Sequence, residues 1–458
     1  MRIIICGAGQ VGSGIAERLS AEGNDVSIID ASEALVDRAN EVLEVRALQG
    51  NAAHPDVLER AGAMESDMLI AVTLHDEVNM VACQVAHTLF SVPTRIARVR
   101  AQSYLDKKYG KLFSRESMPI DHIISPEIEV GNTVLRRLEL PGAFDSASFA
   151  DHEVVAVGLT CGPDCPVLNT PLHQLSELFP DLPAVVVAVV RKGNLFVPHK
   201  TDPLEEGDDV YLVLPTTQVA RTLQIFGHEE RQARRIVIAG GGNIGLYLAQ
   251  SLEKLQPNAR VKVIELSRER AVRIAEQLDR VVVLHGSALS EDMLREADIG
   301  SADTIVAVTN DEQANLLTAA LSKQLGCASS MALINSANYS GMIRSLGIDA
   351  QINPRSVTVS RVLQHVRRGR IRGVHSIHNG AGEIIEAEVL ETAPILEKPL
   401  REVRLTEGVR FGAILRKGKV IQPTGSTELE VKDRVVLFAL ADYIREVEQI
   451  FRVSPDYF

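Results

Sequence analysis

Tryptophan is absent from this chain and aromatic residues make up only 4% of it. That leaves no platform on which the bases of a single nucleic-acid strand could stack. A basic excess is missing as well: 48 Lys and Arg face 60 Asp and Glu, a formal charge of −12. Duplex nucleic acid and an anionic membrane surface are thereby excluded as direct partners. No apolar run approaches the roughly 20 residues of a membrane-spanning helix. The longest, near Ala184–Val190, is β-branched and reads as a buried strand. Met1-Arg2-Ile3 enters a strand-like run at once, so no signal peptide is expected. The five cysteines are odd in number and scattered. The close pair Cys161 and Cys165 fits neither a zinc nor a thioredoxin spacing and reads as a surface-loop coincidence in a reduced, soluble, cytoplasmic protein. The one basic cluster, Arg367-Arg368-Gly369-Arg370-Ile371-Arg372, reads as a solvated helix end or a contact for an acidic partner.

Glycine is where the information lies. Gly7-Ala8-Gly9-Gln10-Val11-Gly12 follows the apolar run Arg2–Cys6, and Gly240-Gly241-Gly242-Asn243-Ile244-Gly245 follows Arg235–Ala239. Each reads as a buried strand, a tight turn and a helix start. The first glycine allows the turn, the second lets the backbone approach a pyrophosphate, and the third lets helix and strand pack closely. Amide donors and the positive end of the helix dipole complete an anion site. The register repeats beyond the motif. Gly240 lies 233 positions after Gly7, and Gly286 and Thr309 each lie 236 after Gly50 and Thr73. Arg191-Lys192-Gly193 recurs as Arg416-Lys417-Gly418, 225 positions on. So steady an offset marks a tandem duplication, A-B-A′-B′.

Within each half the pattern changes once. Residues 1–125 alternate strand and helix, with strands at Arg2–Cys6, Asp25–Asp30, Glu44–Gln49, Met68–Thr73, Thr94–Val99 and His122–Ile124. That order predicts an α/β fold, a doubly wound parallel sheet of Rossmann type. Residues 126–150 are expected to be a connector helix, either an exchange helix at a dimer contact or a plain linker. Residues 151–228 carry short strands around the hairpin signal Lys192-Gly193-Asn194, a small α+β module. The second half repeats this as a Rossmann-like domain at 232–354, a connector helix at 355–371 and a small α+β module at 372–455.

Asp30 and Glu265 end the second strand of each Rossmann-like unit, where a carboxylate holds ribose hydroxyls and repels a 2′-phosphate. Capping the next helix is the alternative for both. Asn51 and Ser287 follow the strand 3 glycines, and Thr73 and Thr309 end strand 4 at the carboxyl edge where such sheets bind ligand. Turn and cap chemistry explains these too. Arg98 on strand 5 has the reach for a phosphate, whereas its repeat position is Leu333. Nothing resembles a catalytic apparatus: no Ser/His/Asp set, no Cys/His pair and no metal-ligand cluster. The pattern binds nucleotide without acting on it. The rival class is an NAD-dependent dehydrogenase-like enzyme with the small modules as substrate domains, which requires an acid or base beside the nicotinamide.

Five stretches carry a resemblance over essentially the whole chain: Ile3–Gly12, Asn79–Ala86, Arg95–Arg100, Gly240–Gly245 and Thr309–Asn315. They resemble the RCK/KTN regulatory domains found beneath potassium channels and transporters and, in this doubled form, the peripheral subunits of bacterial Trk potassium-uptake systems. The resemblance implies a non-catalytic regulator, peripheral on the inner face of the cell membrane. It would be bound to a membrane-embedded potassium-translocating subunit and assembled as a homo-oligomeric ring of four chains. It implies NAD(H), with ATP or ADP as further ligands, gating the transporter by conformational change. Carried onto this sequence, the first site comprises Gly7, Ala8, Gly9, Gln10, Val11, Asp30, Asn51, Thr73 and Arg98. The second comprises Gly240, Gly242, Asn243, Ile244, Glu265, Ser287 and Thr309. Two departures weaken the second: Ser287 stands where the family commonly has aspartate, and Leu333 lacks the arginine.

Overall fold

The computed structural model describes the chain except residues 115, 141, 180, 229–231, 337–338, 344, 367–370, 397, 404–405 and 452–458. Most of the basic cluster (367–370), the end of the second connector and the last residues of the final module therefore lie outside the described residues.

Ile3, Ile4, Ile5 and Cys6 of β1 (Arg2–Cys6) are all buried. A strand buried on both faces belongs inside a parallel sheet covered by helices. β1 pairs in parallel with β2 (Asp25–Asp30) and β4 (Met68–Ala71). With β3 (Arg46–Gln49), β5 (Thr94–Arg98) and β6 (His122–Ile124) the sheet runs β3-β2-β1-β4-β5-β6. The order reverses between β1 and β4, which opens a crevice at the carboxyl ends of the strands.

The expected first connector is helical only over Pro126–Glu139. Residues 143–149, taken with it from the sequence, are instead the strand β7 (Ala143–Phe149). β7 edges an antiparallel sheet with β8 (Val154–Thr160), β9 (Val185–Arg191), β10 (Asn194–Phe196) and β11 (Asp209–Pro215), in order β10-β9-β11-β8-β7. Lys192 and Gly193, both at positive φ, make the expected two-residue hairpin turn. The second half repeats both folds. Its parallel sheet, β12 (Arg235–Ala239), β13 (Arg260–Glu265), β14 (Val282–His285), β15 (Thr304–Ala307), β16 (Ser329–Leu333) and β17 (Ala350–Ile352), has order β14-β13-β12-β15-β16-β17. The helix Pro354–Val366 leads to an antiparallel sheet of β18 (Ile371–Ile377), β19 (Gly382–Glu388), β20 (Val409–Arg416), β21 (Lys419–Ile421) and β22 (Arg434–Leu440). That sheet runs β18-β19-β22-β20-β21.

The chain forms two compact units, each drawing on both halves. One combines Met1–Asn132 with Arg235–His365, and the other Thr133–Arg234 with Val366–Phe458. In the second unit the two antiparallel sheets share one core. Phe149, Val187 and Val213 of the first small module pack with Ile384, Val436 and Phe438 of the second. Cys161 and Cys165 are buried in the core of the first small module, which corrects the surface-loop expectation. Apolar closure of the loop on Val167 and Leu204 draws both thiols inside.

In the first unit each connector helix packs on the glycine-turn helix of the other half. On Pro126–Glu139, Gly131 lies against the Tyr247 ring, and Tyr247 Oη donates to Asn132 Oδ1 at 2.7 Å. On Pro354–Val366, the Arg355 guanidinium lies over Gly14, and Arg361 pairs with Glu129 at 3.2 Å. Both connector helices thus make contacts across the duplication within one chain. His122 on β6 and His365 stack between the halves at 3.8 Å. Burial pushes His365 down to about 4, with the charges of His122 and Arg361 adding to it. Burial also lowers His122, where Arg361 adds and Asp121 opposes. Both imidazoles are therefore held neutral in the folded chain while the unfolded chain titrates near 6.5. Unfolded histidine binds the extra proton first, so stability falls as pH drops from about 6.5 towards about 4. Urea midpoints measured across this range should decline, and less so for His365→Phe, which keeps the stacked ring without the titration. An equally steep decline in that variant would assign the effect to other groups.

Candidate nucleotide site

Gly7, at φ +109, turns the chain out of β1, and Gly9 is the N-cap of the helix Gln10–Ala21. Gly12 sits so close to the turn that a Cβ there would lie 1.8 Å from the carbonyl oxygen of Gly7. At Gly9 a Cβ would meet nothing within 4 Å, so that face of the turn is open. Gly240, Gly242 and Gly245 repeat this geometry at the helix Asn243–Leu255, with a Cβ at Gly245 only 1.9 Å from Gly240 O.

Both acidic residues are engaged by backbone. Asp30 accepts from Ala8 N at 2.7 Å and Ser32 N at 2.9 Å. Glu265 accepts from Gly241 N and Ser267 N, each at 2.8 Å. The capping role is therefore real, and each carboxylate also pins the glycine turn. A carboxylate offers about four lone-pair positions, so capacity for ribose hydroxyls remains. Asn51 Oδ1 accepts from Ala53 N at 3.0 Å, and Ser287 Oγ from Leu289 N at 3.2 Å, so both side chains fold their own turns.

A cavity of about 710 Å³ opens along the carboxyl edge of the first sheet. Its walls bring together Gly7, Gly9, Gln10, Val11, Asp30, Asn51, Thr73 and Arg98. Ile244 and Thr309 of the second half line the same space. Ala8, Gly240, Gly242, Asn243, Glu265 and Ser287 do not line it. Ala8 is buried behind the turn, and the others surround the second glycine turn and its neighbouring strand ends. The volume is large enough for a nucleotide-sized ligand.

One residue without a role assigned from the sequence organises this edge. Asn79, fully buried, accepts from Thr73 N at 2.9 Å and from Thr73 Oγ1 at 2.7 Å, and donates to Arg98 O at 2.9 Å. It ties the end of β4 to the end of β5. Asn315 does the same for Thr309 and Leu333 O. The signal was present: Thr and Asn stand six residues apart in both halves. Thr73 and Thr309 thus serve this clasp. Asp76 accepts from the amides of Arg100 and Ala101, and Glu312, its repeat position, from Ser336 N at 3.2 Å.

Charge in the cavity is unequal. Arg100 Nε donates to Glu127 Oε1 at 2.9 Å. Arg98 Nε is buried with no hydrogen-bond partner among the described residues. Burial pushes this guanidinium below its ordinary value, and Arg100 adds to it, while Glu127 and Asp76 oppose. A bound anion would relieve that state. The corresponding wall of the second half offers Leu333 and Asn335, which carry no charge. Among the described residues no helix is long and apolar enough to cross a membrane.

The TrkA-N domain family matches residues 3–126 and again 236–354, and the TrkA-C domain family matches residues 384–452. The Trk system potassium uptake protein TrkA of Azorhizobium caulinodans is 58% identical over 458 residues, covering 100% of both chains. That of Halomonas elongata is 38% identical over 462 residues, again covering 100% of each. The fold is that of solved RCK structures. The GsuK RCK domain aligns with a TM-score of 0.60 at 18% identity, covering 98% of this chain and 94% of that one. The GsuK channel bound to NAD gives 0.61 at 18%, covering 98% and 78%. With matched domains in both halves and full-length relatives of this identity, the chain belongs to the TrkA family of Trk system potassium uptake proteins.

Proposed function

We propose that this chain is the peripheral regulatory subunit of a Trk-type potassium uptake system. It binds NAD(H) or an adenine nucleotide and gates a membrane-embedded potassium-translocating subunit from the cytoplasmic face, without chemistry of its own. The observation that carries the reading is the shared cavity. The first glycine turn and elements of the second half line one space, so a ligand there touches both halves. A ligand shifts a conformational equilibrium only through unequal affinity for its two states, and a site between two halves supplies that inequality when they move. In this reading the Rossmann-like domains at 1–125 and 232–354 hold nucleotide, and 126–150 and 355–371 connect. The small modules lie at 151–228 and 372–455, and four copies form a ring.

Titration calorimetry with NADH, NAD, ATP and ADP, singly and in competition, tests it. Two distinguishable site classes without turnover are expected. Failure of all four to bind would leave the glycine turns as structural relics and end the gating mechanism. The dehydrogenase-like alternative retains one observation, since His75 lines the cavity. Sustained NADH oxidation coupled to reduction of an added small carbonyl substrate, abolished by His75→Ala, would favour it.

A further inference from the structure

We propose that Cys161 and Cys165 form a redox-active dithiol in the first small module. A hydroperoxide closes this modification site to a disulfide, and a low-molecular-weight thiol reopens it.

Cys161 follows β8, where its amide donates to Asp208 O and its carbonyl accepts from Gly207 N, each at 2.8 Å. The turn Gly162-Pro163-Asp164-Cys165 is closed by Cys165 N donating to Gly162 O at 3.1 Å, which brings Cys165 back towards Cys161. The Cys161 thiol donates to the Cys165 sulfur. Thiols already in contact need little backbone movement to bridge.

The duplication supplies the comparison. In the second small module Val389 N donates to Asp433 O and Val389 O accepts from Lys432 N, each at 2.8 Å, and Ala393 N closes on Leu390 O at 3.1 Å. Val389 and Ala393 therefore stand where Cys161 and Cys165 do, each 228 positions on, and both are buried in their module's core. The same loop folds and packs there on aliphatic side chains alone. Packing therefore gives no reason for a thiol at both places in the first module.

The two thiols are unequal. Cys165 keeps 7% of its surface exposed and Cys161 none. The hydrogen bond from Cys161 holds the Cys165 thiol below its ordinary range against the effect of burial, with the Val167 amide and His228 adding to it. The same bond, together with burial, raises Cys161. Cys165 is thus the nucleophile and Cys161 the resolving thiol. With hydrogen peroxide, the Cys165 thiolate forms an S–O bond as the O–O bond breaks. Hydroxide leaves and takes up the proton that Cys165 released. The Cys161 sulfur then attacks the Cys165 sulfenic acid, the S–S bond forms as the S–O bond breaks, and the Cys161 proton departs with the hydroxyl as water. Peroxide gains two electrons, one from each sulfur in the net. Two exchange steps with a small thiol return both cysteines to the reduced form, and that thiol leaves as its own disulfide. Elsewhere burial pushes Cys6 up to about 12, Cys327 to about 11 and Cys83 well above the thiol range, which keeps all three protonated.

The test treats the reduced full chain with one equivalent of hydrogen peroxide and maps its peptides by mass spectrometry without reduction. The expected result is loss of two hydrogen atoms between Cys161 and Cys165, restored by dithiothreitol. Cys161→Ala should stop the reaction at a Cys165 sulfenic acid that dimedone labels, whereas Cys165→Ala should leave Cys161 unoxidised. The double variant Cys161→Val/Cys165→Ala copies the second module, so it should keep its melting temperature and lose the reaction. Peroxide should oxidise Cys165 roughly tenfold or more faster than Cys6, Cys83 or Cys327. Both thiols of the wild-type chain still free after peroxide, or oxidation of the other three at a similar rate, would overturn the proposal whatever the variants do.

Discussion

Gly9→Asp is expected to leave the chain folded and to empty the first cleft. The position tolerates a side chain, since a Cβ there meets nothing within 4 Å and the backbone is extended at φ −68 and ψ −175. It is also the N-cap of its helix, a place that welcomes aspartate. The same carboxylate would stand where a pyrophosphate approaches the amides. Two like charges about 4 Å apart repel by about 4 kcal/mol at an effective dielectric near 20. With screening at this open position, a loss of a hundredfold or more is expected. Gly12→Ala, three residues on, should do the reverse kind of damage. Its methyl would lie 1.8 Å from Gly7 O, a backbone atom that cannot swing aside. The turn must open or the helix must leave the sheet, and the first Rossmann-like domain should fail to fold. Circular dichroism and nucleotide titration on the two variants separate these outcomes. Unchanged affinity in a folded Gly9→Asp chain would place the ligand elsewhere.

Asp208→Ala and Asp433→Ala should each destabilise the small-module unit by about 3 kcal/mol. Asp208 is 1% exposed and holds Arg191 by two hydrogen bonds of 2.8 and 2.7 Å, while accepting from Glu205 N at 2.8 Å. Asp433 repeats the arrangement with Arg416 at 2.9 and 2.7 Å and Glu430 N at 2.8 Å. Each carboxylate holds the hairpin that starts at its arginine to the loop before the next strand. Removing it strands a guanidinium and an amide, and the cost of unpairing a buried charge exceeds what the pair contributed. The arginines are 24% and 21% exposed, which places the estimate at the lower end of the range. Denaturant midpoints with and without each substitution measure it. Losses well under about 1 kcal/mol would mean that water replaces the carboxylate. The arginines had already appeared in the sequence within the recurring Arg-Lys-Gly stretch with no assigned role, and this ion pair gives the reason for their recurrence.

Local chemistry made much of this protein legible. The glycine turns need backbone geometry and closeness that few residues but glycine permit, so both turns and the duplication could be read from spacing alone. Runs such as Ile3-Ile4-Ile5 and Val186–Val190 announce strands buried by helices or by a second sheet. Strands such as Arg2–Cys6, Asp25–Asp30 and Val185–Arg191 fall where their apolar patterns put them. β7 was invisible for the opposite reason. Ala143-Phe144-Asp145-Ser146-Ala147-Ser148-Phe149 has no apolar run, and it is a strand because β8 pairs with it and the second half covers it. Its Asp145 meets His375 of β18 at 2.8 Å, a partner 230 positions away.

The sequence by itself determined the two Rossmann-type folds, their repetition, and the acidic residues that end each second strand, because all of these depend on contacts between near neighbours in the chain. Only the tertiary structure decided that the two halves would interleave, module A with A′ and B with B′. It also decided that residues of both would line one cavity, with Arg355 of the second half beside the helix of the first. Those outcomes depend on which surfaces become buried against each other across more than two hundred residues, and no spacing within either half records that choice.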